Sequence, residues 1–235
     1  MENQKRKKSF YFILYLVGVI AGLGLTLLAT WGDLEAAFYG FDRVGSLRLS
    51  SLSCPILMSA NETSSFSIKI KNSLDRKLAP SIKTDVSSSI VPITTYESTV
   101  LQPGETKKME WAIGPENIDL GRFIFIRVWT YASYPQPDRE STCGVVIHPF
   151  GINGNIFTWG FVALSILGGG LGLYGMKQID ESNGSGMKMS RTTLLAIVAL
   201  IGLVNSFIGI WLIGVVILAL ALLISVVSAG FSVKL

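Results

Sequence analysis

Three long stretches of the chain carry no charged side chain: residues 9–32, 141–176 and 192–233, of 24, 36 and 42 residues. A helix rises 1.5 Å per residue, so about 20 apolar residues cross the roughly 30 Å hydrocarbon core of a bilayer. The first stretch predicts one membrane-crossing helix over 9–31, and the second predicts another over 152–176. The third is about twice as long and predicts a helical hairpin over 192–233, turning near either 205–209 or 211–214. The expectation is therefore four transmembrane helices.

Between the first two stretches the texture changes to period two. Phe66, Ile68 and Ile70 alternate with Ser67, Lys69 and Lys71, and Met109, Trp111 and Ile113 alternate with Lys108, Glu110 and Ala112. Alternation of this kind marks strands with one face buried. Residues 122–131 (RFIFIRVWTY) are apolar on both parities, as a strand buried on both faces would be. Asn61-Glu62, Asn72-Ser73, Pro103-Gly104, Gly114-Pro115 and Tyr134-Pro135-Gln136-Pro137 punctuate these runs as turns. Six or seven short strands at this spacing predict an all-β sandwich over 45–150, inserted between the first and second membrane helices.

The order SLSCP, ETSSFSIKIKNSLDR, LQPGETKKMEW and CGVVIHP over 46–148 resembles the immunoglobulin-like modules of bacterial and archaeal surface proteins, of the type related to the CARDB adhesion family. The resemblance implies a non-catalytic interaction or spacer module, with no catalytic residues to carry over. One large outer loop between the first two spans is also similar in layout to claudin-like proteins, but their W-GLW-C-C signature is absent.

Residues 32–44 join the first helix to this domain. Leu34, Ala37, Phe38 and Phe41 fall on one helical face, which suits either a segment lying along the membrane surface or one packed under the domain. The first helix reads as an uncleaved anchor, because its apolar stretch is longer than a signal-peptide core and no A-x-A-like site follows it.

Charge sets the expected orientation. Lys5, Arg6, Lys7 and Lys8 (within 1–8), Lys177, Lys188 and Arg191 (within the flexible loop 177–191) and Lys234 all fall on one side of a four-helix arrangement. Basic residues are retained in the cytoplasm, so both termini are expected inside and the β domain outside. Residues 33–140 carry 12 basic and 13 acidic groups. The chain's net charge of +4 thus reports topology and gives no support to nucleic-acid binding.

Composition excludes several chemistries. Charged residues are 15% of the chain and mean hydropathy is +0.49, against about 25% charged in soluble domains. The expected membrane helices hold no Asp, Glu, Lys, Arg or His, which counts against proton relays and ion-coupled transport. Two Cys and one His cannot close a four-ligand metal site. No G-x-S-x-G nucleophile motif occurs, and Asp33, Glu35 and Asp42 match no calcium loop. No cofactor, metal site or catalytic residue is expected.

The remaining candidates are structural or interactive. Cys54 and Cys143 are expected to form a disulfide, since an even Cys count in an oxidising compartment reads that way. Gly18 with Gly22, and Gly168 with Gly172, form GxxxG pairs that suit close helix packing in lipid. Residues 132–140 (ASYPQPDRE) offer Tyr134, Asp138 and Arg139 as a partner contact at one end of the domain. His148 is expected to be structural, and Asn61-Glu62-Thr63 fits a glycosylation sequon. The expected role is an accessory subunit of a plasma-membrane complex, contacting lipid and either other membrane subunits or an extracytoplasmic protein. A stand-alone adhesion or sensor protein is the alternative, and a component of a membrane enzyme or transporter a third.

Overall fold

A computed structural model describes residues 2–41, 47–131, 134–182 and 191–232. Lys188, Lys234, Asp42 and the first residues of the 132–140 segment lie outside the described residues. Two compact units form, Met1–Thr30 with Phe157–Leu235, and Trp31–Ile156.

The helical unit is built from α1 (Glu2–Phe38, up to Thr30), α2 (Gly154–Ser182, from Phe157), α3 (Arg191–Ile208) and α4 (Trp211–Ser232). Among the described residues three helices are long and apolar enough to cross a membrane: Arg6–Phe38, Gly154–Ile179 and Trp211–Ser228. The most apolar window of α4 is only 17% buried. A helix that is apolar all round and so little covered needs an apolar surrounding.

Two expectations about the fold class are corrected here. The first is four membrane-spanning helices. The apolar part of α3, Thr192–Ile208, falls short of spanning length; 17 residues at 1.5 Å each give about 26 Å. The chain breaks early, at Gly209, whose φ of 70° a side chain rarely adopts. Asn205 closes the break by donating from Nδ2 to the Ile210 carbonyl at 3.2 Å. The long uncharged run revealed two helices and left open whether the turn at 205–209, which makes them unequal, or the one at 211–214 divides them.

The second correction concerns the all-β immunoglobulin-like sandwich. The β unit holds β1 (Leu47–Arg48), β2 (Leu57–Ser59), β3 (Ser64–Lys71), β4 (Ser81–Val86), β5 (Ile93–Ser98), β6 (Thr106–Ile113), β7 (Phe123–Tyr131) and β8 (Arg139–His148). Six of them form one mixed sheet in the order β1-β8-β7-β4-β5, with β2 also pairing β8, while β3 and β6 form a separate two-stranded sheet. Both β1 and β2 run parallel to β8. Period-two patterning finds strands but does not encode their partners, and this pairing is not that of an immunoglobulin sandwich.

The core follows from the alternation. Phe66, Ile68 and Ile70 of β3 meet Ile82 and Val86 of β4, Ile124, Ile126 and Val128 of β7, and Val145 of β8 in one buried cluster. The other face of β7 is covered as well, by the chain that leaves α1. Trp31 packs edge-on against Phe123 at 5.2 Å, and Tyr39 and Phe41 lie 5.5 and 5.6 Å from the Phe125 ring. Thr142 donates to the Phe41 carbonyl at 2.7 Å. Residues 32–41 are thus packed on the sheet. At the exit toward α2, Glu62 accepts from Ser59 N, Asn153 Nδ2 and Gly154 N at 2.9, 2.8 and 2.7 Å.

Candidate functional site

Cys54 and Cys143 form a disulfide, with Cα atoms 6.6 Å apart and a sequence separation of 89. It ties the segment before β2 to the centre of β8, against the core. In the chain-entropy account, closing a loop of that length is worth about 4–5 kcal/mol. An open groove of about 470 Å³ lies at the end of the unit where β3 finishes and β8 begins.

Lys69, Lys71 and Arg139 line this groove, with Pro135, Gln136 and Pro137 along one wall. The two lysines belong to the outward phase of β3. Register sets Lys69 opposite Lys108, and Ile70 opposite Lys107, on β6. Lys108 is ion-paired with Glu110 at 2.7 Å, so the positive potential of this face comes from Lys69 and Lys71. Gln136 Nε2 donates to Ser73 Oγ at 3.1 Å, which links the β7–β8 connection across to the segment after β3. Of the three residues expected to contact a partner, Arg139 lines the groove. Tyr134 and Asp138 are exposed but do not line it. Lys69 and Lys71 were legible only as the polar phase of a strand; the fold is what brings them beside Arg139.

A second polar cluster lies on the outward face of the large sheet. Arg127 Nε donates to Asp85 Oδ2 at 2.9 Å and stands 3.7 Å from Glu140 Oε1. Lys83 Nζ is 3.4 Å from Asp85 Oδ1, and Thr94 Oγ1 donates to that oxygen at 2.6 Å. Asp85 and Glu140 are buried. Burial pushes the Asp85 carboxyl up, but hydrogen bonds from Thr94 and Arg127 and the charges of Arg127 and Lys83 outweigh it, leaving the carboxyl below its ordinary value of 3.8. A carboxyl held low stays ionised near neutral pH, so it cannot serve there as a general acid. The Arg127 guanidinium on β7 thus stands between two buried carboxyl groups, bonded to Asp85 on β4 and within ion-pair distance of Glu140 on β8. The sequence reading missed this cluster, because its members are far apart and each occupies an ordinary polar position.

Among the described residues no group of three His, Cys, Asp or Glu is placed to hold a metal ion. Asp33 Oδ1 accepts from the Gly144 amide at 3.0 Å, and Glu35 accepts from Trp31 Nε1 at 2.8 Å. His148 is buried at the end of β8, in register with Ser59.

In the helical unit the expected packing glycines lie at close approaches. A Cβ on Gly18 would come within 2.6 Å of the Gly168 backbone and closer still to that of Gly169. One on Gly172 would meet the Tyr15 backbone, and one on Gly22 would meet Ser165 Oγ. Gly168 itself lies against Leu14 and Gly18. Gly160 and Gly170 face open space.

No family model matches the chain, and no curated protein matches it. Solved structures similar to parts of it include a β-glucuronidase of Bacteroides uniformis, at 13% identity, covering 41% of this chain and 13% of that one, with a TM-score of 0.32. A β-glucosidase of Erythrobacter marinus shares 17% identity over 40% of this chain and 14% of that one, with a TM-score of 0.29. A β-glucosidase of Listeria innocua shares 20% over 44% and 16%, with a TM-score of 0.32. The chain thus spans less than a fifth of the length of each of these enzymes. Likenesses this low carry no argument about fold or activity.

Proposed function

We propose that the chain is a non-catalytic, multi-pass protein of the plasma membrane, and that it serves as an accessory subunit presenting its disulfide-tied β unit to a partner outside the cytoplasm. The observation that carries this reading is the convergence of Lys69, Lys71 and Arg139 on one groove, in a unit stapled by a disulfide. Disulfides persist in oxidising compartments, which favours the extracytoplasmic side. Arg6, Lys7 and Lys8 before the first apolar helix, and Lys177 near the end of the second, favour a cytoplasmic N-terminus and a cytoplasmic 177–191 loop. Three cations around a groove select an acidic extended segment, and their desolvation on binding gives specificity more than raw affinity.

The test uses the full chain in mild detergent. Membrane proteins that co-purify with it are identified, and the same preparation is made with Lys69→Glu/Lys71→Glu and with Arg139→Glu. The account expects the partner's recovery to fall strongly for both variants while the unfolding temperature of the β unit is unchanged. Full recovery with reversed charge at all three positions removes the groove as the recognition site. A chain that purifies alone favours the stand-alone adhesion or sensor reading.

A further inference from the structure

One end of the β unit carries two uncharged connections. At the groove end the connections carry Asp75, Arg76, Lys77, Glu105 and Asp138. At the other end, residues 87–92 and 149–153 carry no charge at all. These two connections lie together. Ser87 N donates to the Phe125 carbonyl at 2.8 Å, and Phe123 of the same strand stands in register with Val146, shortly before β8 ends.

This end also exposes large apolar side chains. Ile90 is 90% exposed, Val91 66%, Phe150 57% and Ile152 48%, and Leu120 on the neighbouring β6–β7 connection is 47% exposed. The charges at this end include Glu116, Asp119 and Arg122 on that connection and Glu62 on the β2–β3 connection, whose carboxylate accepts from Ser59, Asn153 and Gly154. A hairpin tip carrying Ile-Val at full exposure is costly in water unless something apolar covers it.

What covers it is indicated by the chain itself. Trp31, where the unit receives α1, packs on Phe123 at this end. Gly154, where α2 begins, is bonded to Glu62 at the same end, 2.7 Å away. Both apolar helices therefore join the β unit at the end where these two connections lie, and neither joins at the groove end. We infer that residues 87–92 and 149–153 seat in the headgroup layer of the bilayer, with Ile90, Val91, Phe150 and Ile152 as lipid anchors. The inference rests on the membrane placement proposed above. Apolar and aromatic side chains at that depth gain burial without giving up backbone hydration.

The test is photocrosslinking of the full chain reconstituted in phosphatidylcholine vesicles. p-Benzoylphenylalanine replaces Ile90, Phe150, Tyr134 or Leu164, one at a time, and adducts are identified by mass spectrometry. Ile90 makes so little contact that its replacement removes no packing, and Phe150 gives a second, independent reading. Leu164, exposed on α2, reports the membrane placement. The expected result is lipid adducts at 90, 150 and 164 and none at 134. Adducts at 164 without any at 90 or 150 overturn this inference and leave the membrane reading standing. No adduct at 164 removes the membrane reading and this inference with it. Equal adducts at 90 and 134, or a protein adduct in place of lipid at 90, also overturn it.

Discussion

Gly32 and Gly144 pack backbone to backbone: a Cβ on Gly32 would stand 2.6 Å from the Gly144 carbonyl oxygen, and one on Gly144 would strike the Gly32 carbonyl. The last turns of α1 lie on β8 at a distance that admits no side chain between them. Gly144→Ala is therefore expected to destabilise the β unit by about 1–3 kcal/mol, the usual cost of overpacking a well-filled site. Gly151→Ala, with nothing within 4 Å, is expected to stay within about 0.5 kcal/mol of the parent. Thermal unfolding of the two variants side by side checks this.

That contact also explains what the sequence could and could not disclose. Strand β7 reads as apolar on both parities, and the structure shows why: Ile124, Ile126 and Val128 enter the core, while Phe123 and Phe125 are covered by Trp31, Tyr39 and Phe41. The Cys54–Cys143 bridge was legible because compartment and an even count leave one pairing. The parallel pairing of β1 and β2 with β8 was not legible, since two- and three-residue strands carry too few positions to show a period. Nor was the meeting of Asp85, Arg127 and Glu140, which depends on strand register. The break at Gly209 was visible only as one of two candidate turns, because an uncharged run shows no boundary in its charge pattern.

Removing the bridge should cost more than any single packing change. Alkylation without reduction is expected to label neither Cys54 nor Cys143 in the purified protein. The double change Cys54→Ala/Cys143→Ala is expected to lower the stability of the β unit by up to about 4–5 kcal/mol. Denaturant unfolding followed by Trp129 and Trp111 fluorescence measures it. Free thiols in the native protein would contradict the bridge.

Acid sensitivity should concentrate at Asp85. Its folded-state pKa lies below the ordinary value of 3.8, so its ionised form contributes stability that is fully present above that value. This contribution is lost as pH falls through the lower, folded value. Asp85→Asn is expected to be less stable at neutral pH, by under about 3 kcal/mol because Glu140 still faces Arg127. Its stability should then vary less than the parent's below about pH 4. Parallel slopes for the two proteins in that range would mean the cluster is not the source of acid lability.

The helical unit gives a comparison internal to α2. Gly172→Leu forces a side chain into the Tyr15 backbone, whereas Gly170→Leu points into open space. Helices held together by small residues separate when bulk is placed at the contact. Gly172→Leu and Gly18→Leu are expected to lower the unfolding temperature in detergent, and Gly170→Leu to leave it unchanged. Equal behaviour of all three would mean the close approach adds nothing to stability.

Whether the β unit stands outside the cytoplasm is read most directly from cysteine accessibility in intact cells. Tyr134→Cys and Lys8→Cys, both at exposed positions, are expressed separately and treated with a membrane-impermeant maleimide, with and without permeabilisation. The cysteine at 134 is expected to react in intact cells and the cysteine at 8 only after permeabilisation. Reaction of the cysteine at 8 in intact cells, with that at 134 protected until permeabilisation, would contradict it.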